Sequence, residues 1–506
     1  MGEAPAFSMM PRFFDSVGRE FSTALSAAVA VSAALALGLA ACAISPATGR
    51  PVFTGFMTTA SEIQIGRAEN PKVLAAFGGA YPDAALQRYV SEVGARVARQ
   101  SEREDLTYTF AVVNSPIVNA LAIPGGYIYI TRGMLALIDN EAELAGVLGH
   151  EVGHIAALHI AQQVGRRQAL GLGLSVLGAV VQEPLILRGT GLAATLYLRS
   201  FSRQEEYEAD MLGVRYTSGA GYDPRAMVQF LRTMKAYDDL QAKLTGRAPG
   251  SADVFSFLAT HPTAVDRFER AMAEARAVPV AKPEVGRDRY LHQIDGLLYG
   301  EGASEGFIRD RSFVHPILKI RFRFPDGFQP FNTPGRVFAV GPGKSLIVFD
   351  GATSSSSPAD YLTRQWARGV TLRDVKSVTI NGLEAVTART AVTTNRGPME
   401  MMLAVIRADP AHVYRFRAEI PPALMASLAP EAERTIMSFT RLSDHEAAAI
   451  KARRVRAVRV AKGETVEDLA RKCDFERYSV EQFRVLNGLQ PGERLTAGQL
   501  VKIVSN

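Results

Sequence analysis

The sequence predicts an α+β protein of several domains, and three observations carry that reading. The chain has 506 residues, 47% of them hydrophobic, enough for two to four separate cores. Its first half sets helix-period apolar runs around one short alternating run, Tyr127-Ile128-Tyr129-Ile130. Its second half reads as strands and turns and closes on a strand-helix-helix-strand order. The expected division is a leader over 1–41, a mainly helical domain with a small sheet over 42–280, an α+β domain over 281–445, and a β-α-α-β domain over 446–506.

The leader comes first. Arg12 and Arg19 precede an apolar run from Ala24 to Leu39, and "LAAC" comes next. A basic region, an apolar region and small residues make a secretory signal. Ending on cysteine, this one resembles a bacterial lipoprotein signal, with Cys42 as the lipidated first residue and Met9 or Met10 as alternative starts. The chain has two cysteines. With Cys42 lipidated, no disulfide forms within the chain, and Cys473 is expected to be a small buried apolar residue. The net charge of +6 is mild. It does not call for nucleic acid, and it suits an anionic envelope surface.

In the next domain, Pro124, Gly125 and Gly126 make a turn before the alternating run, which reads as a strand. "NEAELAGVLGHEVGHIAALHIAQQV" then reads as one helix. Asn140 with Glu143 has the form of a capping box, and Ala and Leu dominate the rest of the segment. His150 and His154 fall four apart on one face, where two imidazoles can grip one cation, and zinc suits that pair. Glu151 stands beside the first of them as a general base, completing the H-E-x-x-H arrangement of zinc peptidases. His159 is not expected to bind. On a continuous helix, at about 100° per residue, it points roughly 180° from His150 and roughly 140° from His154. No glycine lies between to turn the chain back, so a structural hydrogen bond is expected of it.

The apolar stretches 169–181 and 191–198 are short for spanning helices, which need about 20 residues. They are expected to pack over the site or lie against a membrane. "SFSRQEEYEADMLGVRYTSGAGYDP" then reads as a second helix, ending near Gly219 or Gly221. Glu206 and Asp210 share one face, so one carboxylate can bind metal while the other orients a histidine. Spacing alone does not exclude Glu205 or Glu208, nor a solvated acidic face.

Residues 312–440 carry strand-like runs such as "LKIRFRFP" and "SLIVFDGA", and a helix from "ALMASLAPEAERTIMSF". No chemical motif lies there. His292, His315, His412 and His445 are expected to be structural or solvated. The final segment runs strand, "GET", helix, helix, "LNGL", loop, strand. These elements resemble a LysM domain, which implies binding to peptidoglycan; a LysM-like fold kept for protein contacts is the alternative.

Four segments carry a resemblance over about residues 60 to 275: "HEVGH", "SRQEEYEAD", "NALAIPGGYIYITRGML" and "THPTAVDRFERA". Together they resemble the zinc metallopeptidase family of HtpX and the CAAX prenyl proteases, of the gluzincin type, and within it the BepA-like members of the bacterial envelope. The resemblance implies a zincin fold and one Zn2+ per chain, bound by His150, His154 and Glu206. It makes Asp210 the support of a histidine ligand. It implies an edge strand at "GGYIYITRG", where Asn119, Ala120, Gly126 and Tyr127 touch an extended substrate by β-addition. It brings His261 to the zinc, as oxyanion partner or as cap of a resting state, with Arg267 holding that loop. The expected protein is a periplasmic zinc endopeptidase, lipid-anchored at the outer membrane and acting on misfolded or unassembled envelope proteins. A peptidoglycan-anchored chaperone with a dormant zinc site, and a zinc hydrolase of peptidoglycan peptides, are the alternatives.

Overall fold

The computed structural model describes residues 42–55, 57–169, 201–245, 257, 261, 265–333, 335–394 and 397–506. The expected leader, 1–41, and the apolar stretches, apart from Ala169, lie outside the described residues.

A hairpin of β1 (Cys42–Ile44) and β2 (Pro51–Phe53) precedes α1 (Thr59–Ala76) and α2 (Ala84–Ala98). Thr58 and Ser61 cap the start of α1 reciprocally, and Asp83 accepts from the Ala85 and Leu86 N–H groups of α2. Both helices therefore begin where a side chain satisfies their first amides.

Three strands come next: β3 (Thr109–Val113), β4 (Ala120–Ile123) and β5 (Tyr127–Thr131), in the spatial order β3-β5-β4. This corrects the edge-strand expectation. Strand β5 is the middle strand, parallel to β3 and antiparallel to β4. Gly125 and Gly126, both at positive φ, turn the chain so tightly that β4 becomes the outer strand. The Gly126 carbonyl already accepts from Thr109 N–H, and Tyr127 is paired on both sides. The Tyr127 main chain and the Gly126 carbonyl are thus already used within the sheet.

Helix α3 (Arg132–Leu137) leads into α4 (Glu141–Ala156). The single helix expected through His159 is broken. Leu158 takes φ +63°, and α5 (His159–Ala169) departs at 47° to α4. A left-handed non-glycine residue costs about 1–2 kcal/mol. Burial of Leu158 and a hydrogen bond between His154 and His159 offset it. Next come α6 (Arg203–Gly219), α7 (Ala226–Thr245) and α8 (Val265–Ala277). Among the described residues no single helix is long and apolar enough to cross a membrane.

One apolar core joins α2, the small sheet, α4, α6 and α7. Val455 and Leu500, from the C-terminal segment, belong to the same core.

After α9 (Arg287–Gln293) the character changes to β. One sheet has four strands, β6 (Phe307–Arg309), β7 (Ser312–His315), β8 (Ile320–Arg323) and, from later in the chain, β16 (Thr440–Arg441). A second, antiparallel sheet has seven: β9 (Gln329–Thr333), β10 (Arg336–Val340), β11 (Leu346–Thr353), β12 (Arg373–Ile380), β13 (Leu383–Thr394), β14 (Gly397–Arg407) and β15 (His412–Ile420). Their spatial order is β12-β13-β14-β15-β11-β10-β9. Helix α10 (Met425–Met437) packs on it, over a core of Phe322, Phe349, Phe416 and Phe439. Strand β9 is not evident in the sequence because it carries Pro330, which an edge position tolerates.

A short α11 (Asp444–Ala449) leads to the C-terminal segment, which has the expected order. It comprises β17 (Arg454–Arg459), α12 (Val466–Lys472), α13 (Ser479–Leu486) and β18 (Leu500–Ser505), with β17 and β18 antiparallel. Cys473 is buried.

Candidate metal centre

The site is built where α4 and α6 touch, and glycines permit the contact. A Cβ on Gly149 would meet the Gly213 carbonyl at 3.1 Å, and one on Gly153 would meet the Ala209 carbonyl at 3.1 Å. A Cβ on Gly213 would meet His150 N at 2.9 Å. The two backbones therefore approach closely, and side chains from both helices reach one point.

His150, His154, Glu206 and His261 converge there, each offering one donor atom, all within 4.8 Å of one another. His150 Nε2 lies 3.0 Å from His154 Nε2 and 3.2 Å from His261 Nδ1. Glu206 Oε1 lies 2.9 Å from His261 Nδ1 and 3.5 Å from His154 Nε2. Donors about 2.0–2.1 Å from a tetrahedral zinc stand about 3.4 Å apart, so these spacings fit one small cation. All four residues are buried, none more than 2% exposed.

The electrostatics suit the same ion. Burial holds His154 well below the usual histidine range, hence neutral and able to ligate. Burial alone would raise Glu206, but His261 and Arg267 outweigh it and keep that carboxylate ionised. Burial likewise opposes ionisation of Asp210, and Arg267 again prevails.

Around the donors stands a second layer. His150 Nδ1 meets Asp210 Oδ1 at 3.0 Å, which fixes the ring so that Nε2 faces the cluster. Arg267 grips Asp210 with two bonds of 2.7 Å, lies 2.9 Å from Glu206 Oε2 and donates to the His261 carbonyl. His154 Nδ1 contacts His159 Nδ1 at 3.0 Å, and His159 Nε2 contacts Glu208. His159 and Glu208 therefore support His154 from behind and stay outside the cluster. Glu205 caps α6 through Ser202.

Glu151 sits beside the donors, 3.6 Å from His261 Nε2. Burial raises its pKa, partly offset by His261 and His150. Its Oε1 has no hydrogen-bond partner among the described residues. Helix α4, which bears this candidate base, packs against the outer strand. Asn119, just before β4, is fully buried, and neither of its amide atoms has a hydrogen-bond partner among the described residues. Ala120 opens β4 and is buried. Phe257 donates its N–H to the Val118 carbonyl, and its ring stacks on His261 at 4.4 Å. Phe257 is thus tied to the chain just before the outer strand and packs on His261. Cys42, exposed in β1, belongs to no part of the cluster.

Sequence reasoning missed Gly149, Gly153, Gly213, Phe201 and Phe257. The glycines carry a signal: 149 and 153 are four apart on the helix that bears both histidines. Phe201, which stacks on His154 at 3.8 Å, and Phe257 carry none.

Comparison with known proteins agrees with this geometry. Residues 84–275 match the Peptidase family M48, and residues 458–504 match the LysM domain. A protein of Arabidopsis thaliana named mitochondrial metalloendopeptidase OMA1 is 35% identical over 36% of this chain and 35% of its own length. The Beta-barrel assembly-enhancing protease of Escherichia coli is 28% identical over 44% of this chain and 46% of its own. The metalloendopeptidase OMA1 of Schizosaccharomyces pombe is 31% identical over 36% of this chain and 51% of its own. The chain thus spans between a third and about half of the length of these curated relatives.

Proposed function

We propose that this chain, whose residues 84–275 form a domain of peptidase family M48 and whose residues 458–504 form a LysM domain, is a zinc-dependent endopeptidase of the bacterial cell envelope. The observation that carries the reading is the convergence of His150, His154 and Glu206 at tetrahedral spacing, with Glu151 beside them.

His150, His154 and Glu206 would hold one zinc ion, and the ion would supply Lewis acidity toward water near neutral pH. Glu151 takes the proton of the attacking water and delivers it to the leaving amine. Asp210 and Arg267 keep His150 and Glu206 in place through the reaction. A peptide substrate lies extended along β4, bonding Asn119 and Ala120. At rest His261 would be the fourth donor, with Phe257 packed on it. Substrate displaces His261, which then faces the carbonyl oxygen under attack.

The substrates are unfolded or unassembled envelope proteins, a reading supported by the Escherichia coli relative's name. Cys42 carries the lipid that anchors the protein in the periplasm at the outer membrane, after removal of residues 1–41. The LysM domain holds peptidoglycan. We divide the remainder into a peptidase domain over 42–280, an α+β domain over 281–445 that presents partners, and a C-terminal domain from 446. One observation favours a second reading, a chaperone with a dormant site: every donor is buried.

Cleavage of unfolded casein by wild type, Glu151→Gln and His261→Ala tests the proposal. Zinc-dependent cleavage that Glu151→Gln abolishes and His261→Ala alters supports it. Retention of full cleavage in Glu151→Gln refutes it, and zinc binding without cleavage by any form favours the chaperone.

A further inference from the structure

A buried lysine joins the C-terminal domain to the segment that leads into the helix carrying the two histidines. Lys502, in β18, is completely buried. Its ammonium donates to three consecutive carbonyls, Ala136 at 3.0 Å, Leu137 at 3.1 Å and Ile138 at 2.6 Å, and lies 3.1 Å from Asp139 Oδ1. Those carbonyls belong to the end of α3, where a helix leaves its last acceptors without internal partners and favours a cation. A residue more than 360 positions away therefore caps α3.

The same contact reaches α4. Asp139 stands between α3 and Asn140, the N-cap of α4. Asp139 N–H donates to Glu143 Oε2 at 2.9 Å, and Asn140 Nδ2 donates to Glu143 Oε1 at 3.0 Å. The Glu143 carboxylate is thus spent on the two residues that start the helix. Arg287 ties the junction from a third side, donating to the carbonyls of Asp139 and Leu500.

On its own side Lys502 is held firmly. Its N–H donates to Asn487 Oδ1 at 2.7 Å, and Asn487 Nδ2 donates back to its carbonyl at 2.9 Å. The next residue, Gly488, leaves room for the junction: a Cβ there would meet Asp139 Oδ2 at 2.1 Å. Main-chain bonds between Val455 and residues Gly296 and Leu297, and the shared apolar core, dock the rest of the domain.

We infer that Lys502 is a positioning residue for the metal centre: by closing the end of α3 and fixing Asp139 against the first turn of α4, the LysM domain sets the helix that presents His150, Glu151 and His154. The domain is then a working part of the peptidase as well as a tether. This inference rests on the proposed peptidase function.

The test uses the full chain, with kcat and KM on unfolded casein and amide hydrogen exchange over residues 139–150 of the metal-free protein. Lys502→Met is expected to remain folded by circular dichroism, to lose at least tenfold in kcat with KM within twofold, and to exchange at least tenfold faster in that segment, with α2 unchanged. Lys243→Ala, which removes the peripheral contacts to Glu481 and Tyr478 of the same domain, is expected to change neither. Unchanged kcat and exchange in Lys502→Met, or equal losses in Lys243→Ala, would overturn the inference. If Lys502→Met does not fold, Asp139→Asn keeps all three carbonyl contacts and decides: the same kcat and exchange changes support the coupling, and none refutes it. Wild type that neither binds zinc nor cleaves would sink the peptidase reading instead, while the metal-free exchange would still judge Lys502.

Discussion

Replacing Arg267 by leucine tests the electrostatic frame of the site. In the folded protein the guanidinium makes two 2.7 Å bonds to Asp210 and lies 2.9 Å from Glu206. All three residues are buried. Leucine keeps an apolar stem but leaves Asp210 without its main counter-charge and Glu206 without one of its two. Removing one partner of a buried pair costs about 3–5 kcal/mol. The lower half of that range is expected, because Asp210 keeps His150 and Glu206 keeps His261. At about 2–4 °C per kcal/mol for a domain of this size, the melting temperature of metal-free protein should fall by about 6–16 °C at pH 7. The pH dependence has a definite sign. Burial opposes ionisation of Asp210, yet Arg267 holds its folded pKa below the ordinary value. The stability this contributes is complete above the ordinary carboxylate range and is lost as pH falls through the folded pKa. The gap between wild type and variant should therefore widen from acid to neutral pH. Zinc should narrow it, since the ion supplies Glu206 with a positive charge. Calorimetry of chelator-treated and zinc-loaded samples at several pH values measures all three effects. A shift below about 2 °C at pH 7, or a gap that shrinks as pH rises, would refute the reasoning.

Other outcomes rest on the same contacts. Gly213→Ala would press a methyl against His150 N and should cost about 1–3 kcal/mol, with weaker zinc binding, read by denaturant unfolding and a zinc titration. Asn119→Ala should leave stability within about 1 kcal/mol, because its amide has no hydrogen-bond partner among the described residues to lose, yet lower kcat/KM on casein. Glu143, pushed up to about 8 by burial and then by Asp139, is more easily protonated folded than unfolded. Its contribution should decline as pH rises from about 4.5 to about 8, and Glu143→Gln should flatten that limb of the stability profile in urea titrations.

The sequence made the centre legible because its chemistry is local. A four-residue spacing on one helix places His150 and His154 together whatever surrounds them, and the same holds for Glu206 and Asp210 on the next helix. The role of His159 was harder. A single left-handed residue, Leu158, swings it behind His154, and nothing in its identity announces that turn. The outer strand was misplaced for a topological reason: alternation identifies a strand but does not order it within a sheet. Tyr127–Thr131 is the middle strand, while the edge position falls to Ala120–Ile123, whose four residues are all buried. The least legible contact is that of Lys502, whose sequence surroundings "LVKIV" suggest a solvated lysine in an amphipathic strand. Only the packing of two distant segments makes it a helix cap.

The most direct test of the central claim is the metal content and X-ray absorption of the purified protein, alongside His150→Ala and Glu206→Gln. One zinc per chain is expected, bound by imidazole nitrogen and carboxylate oxygen at about 2.0–2.2 Å, with occupancy lost in His150→Ala and the oxygen contribution diminished in Glu206→Gln. Folded wild-type protein that takes up no zinc, or full zinc retained in His150→Ala, would contradict the assignment.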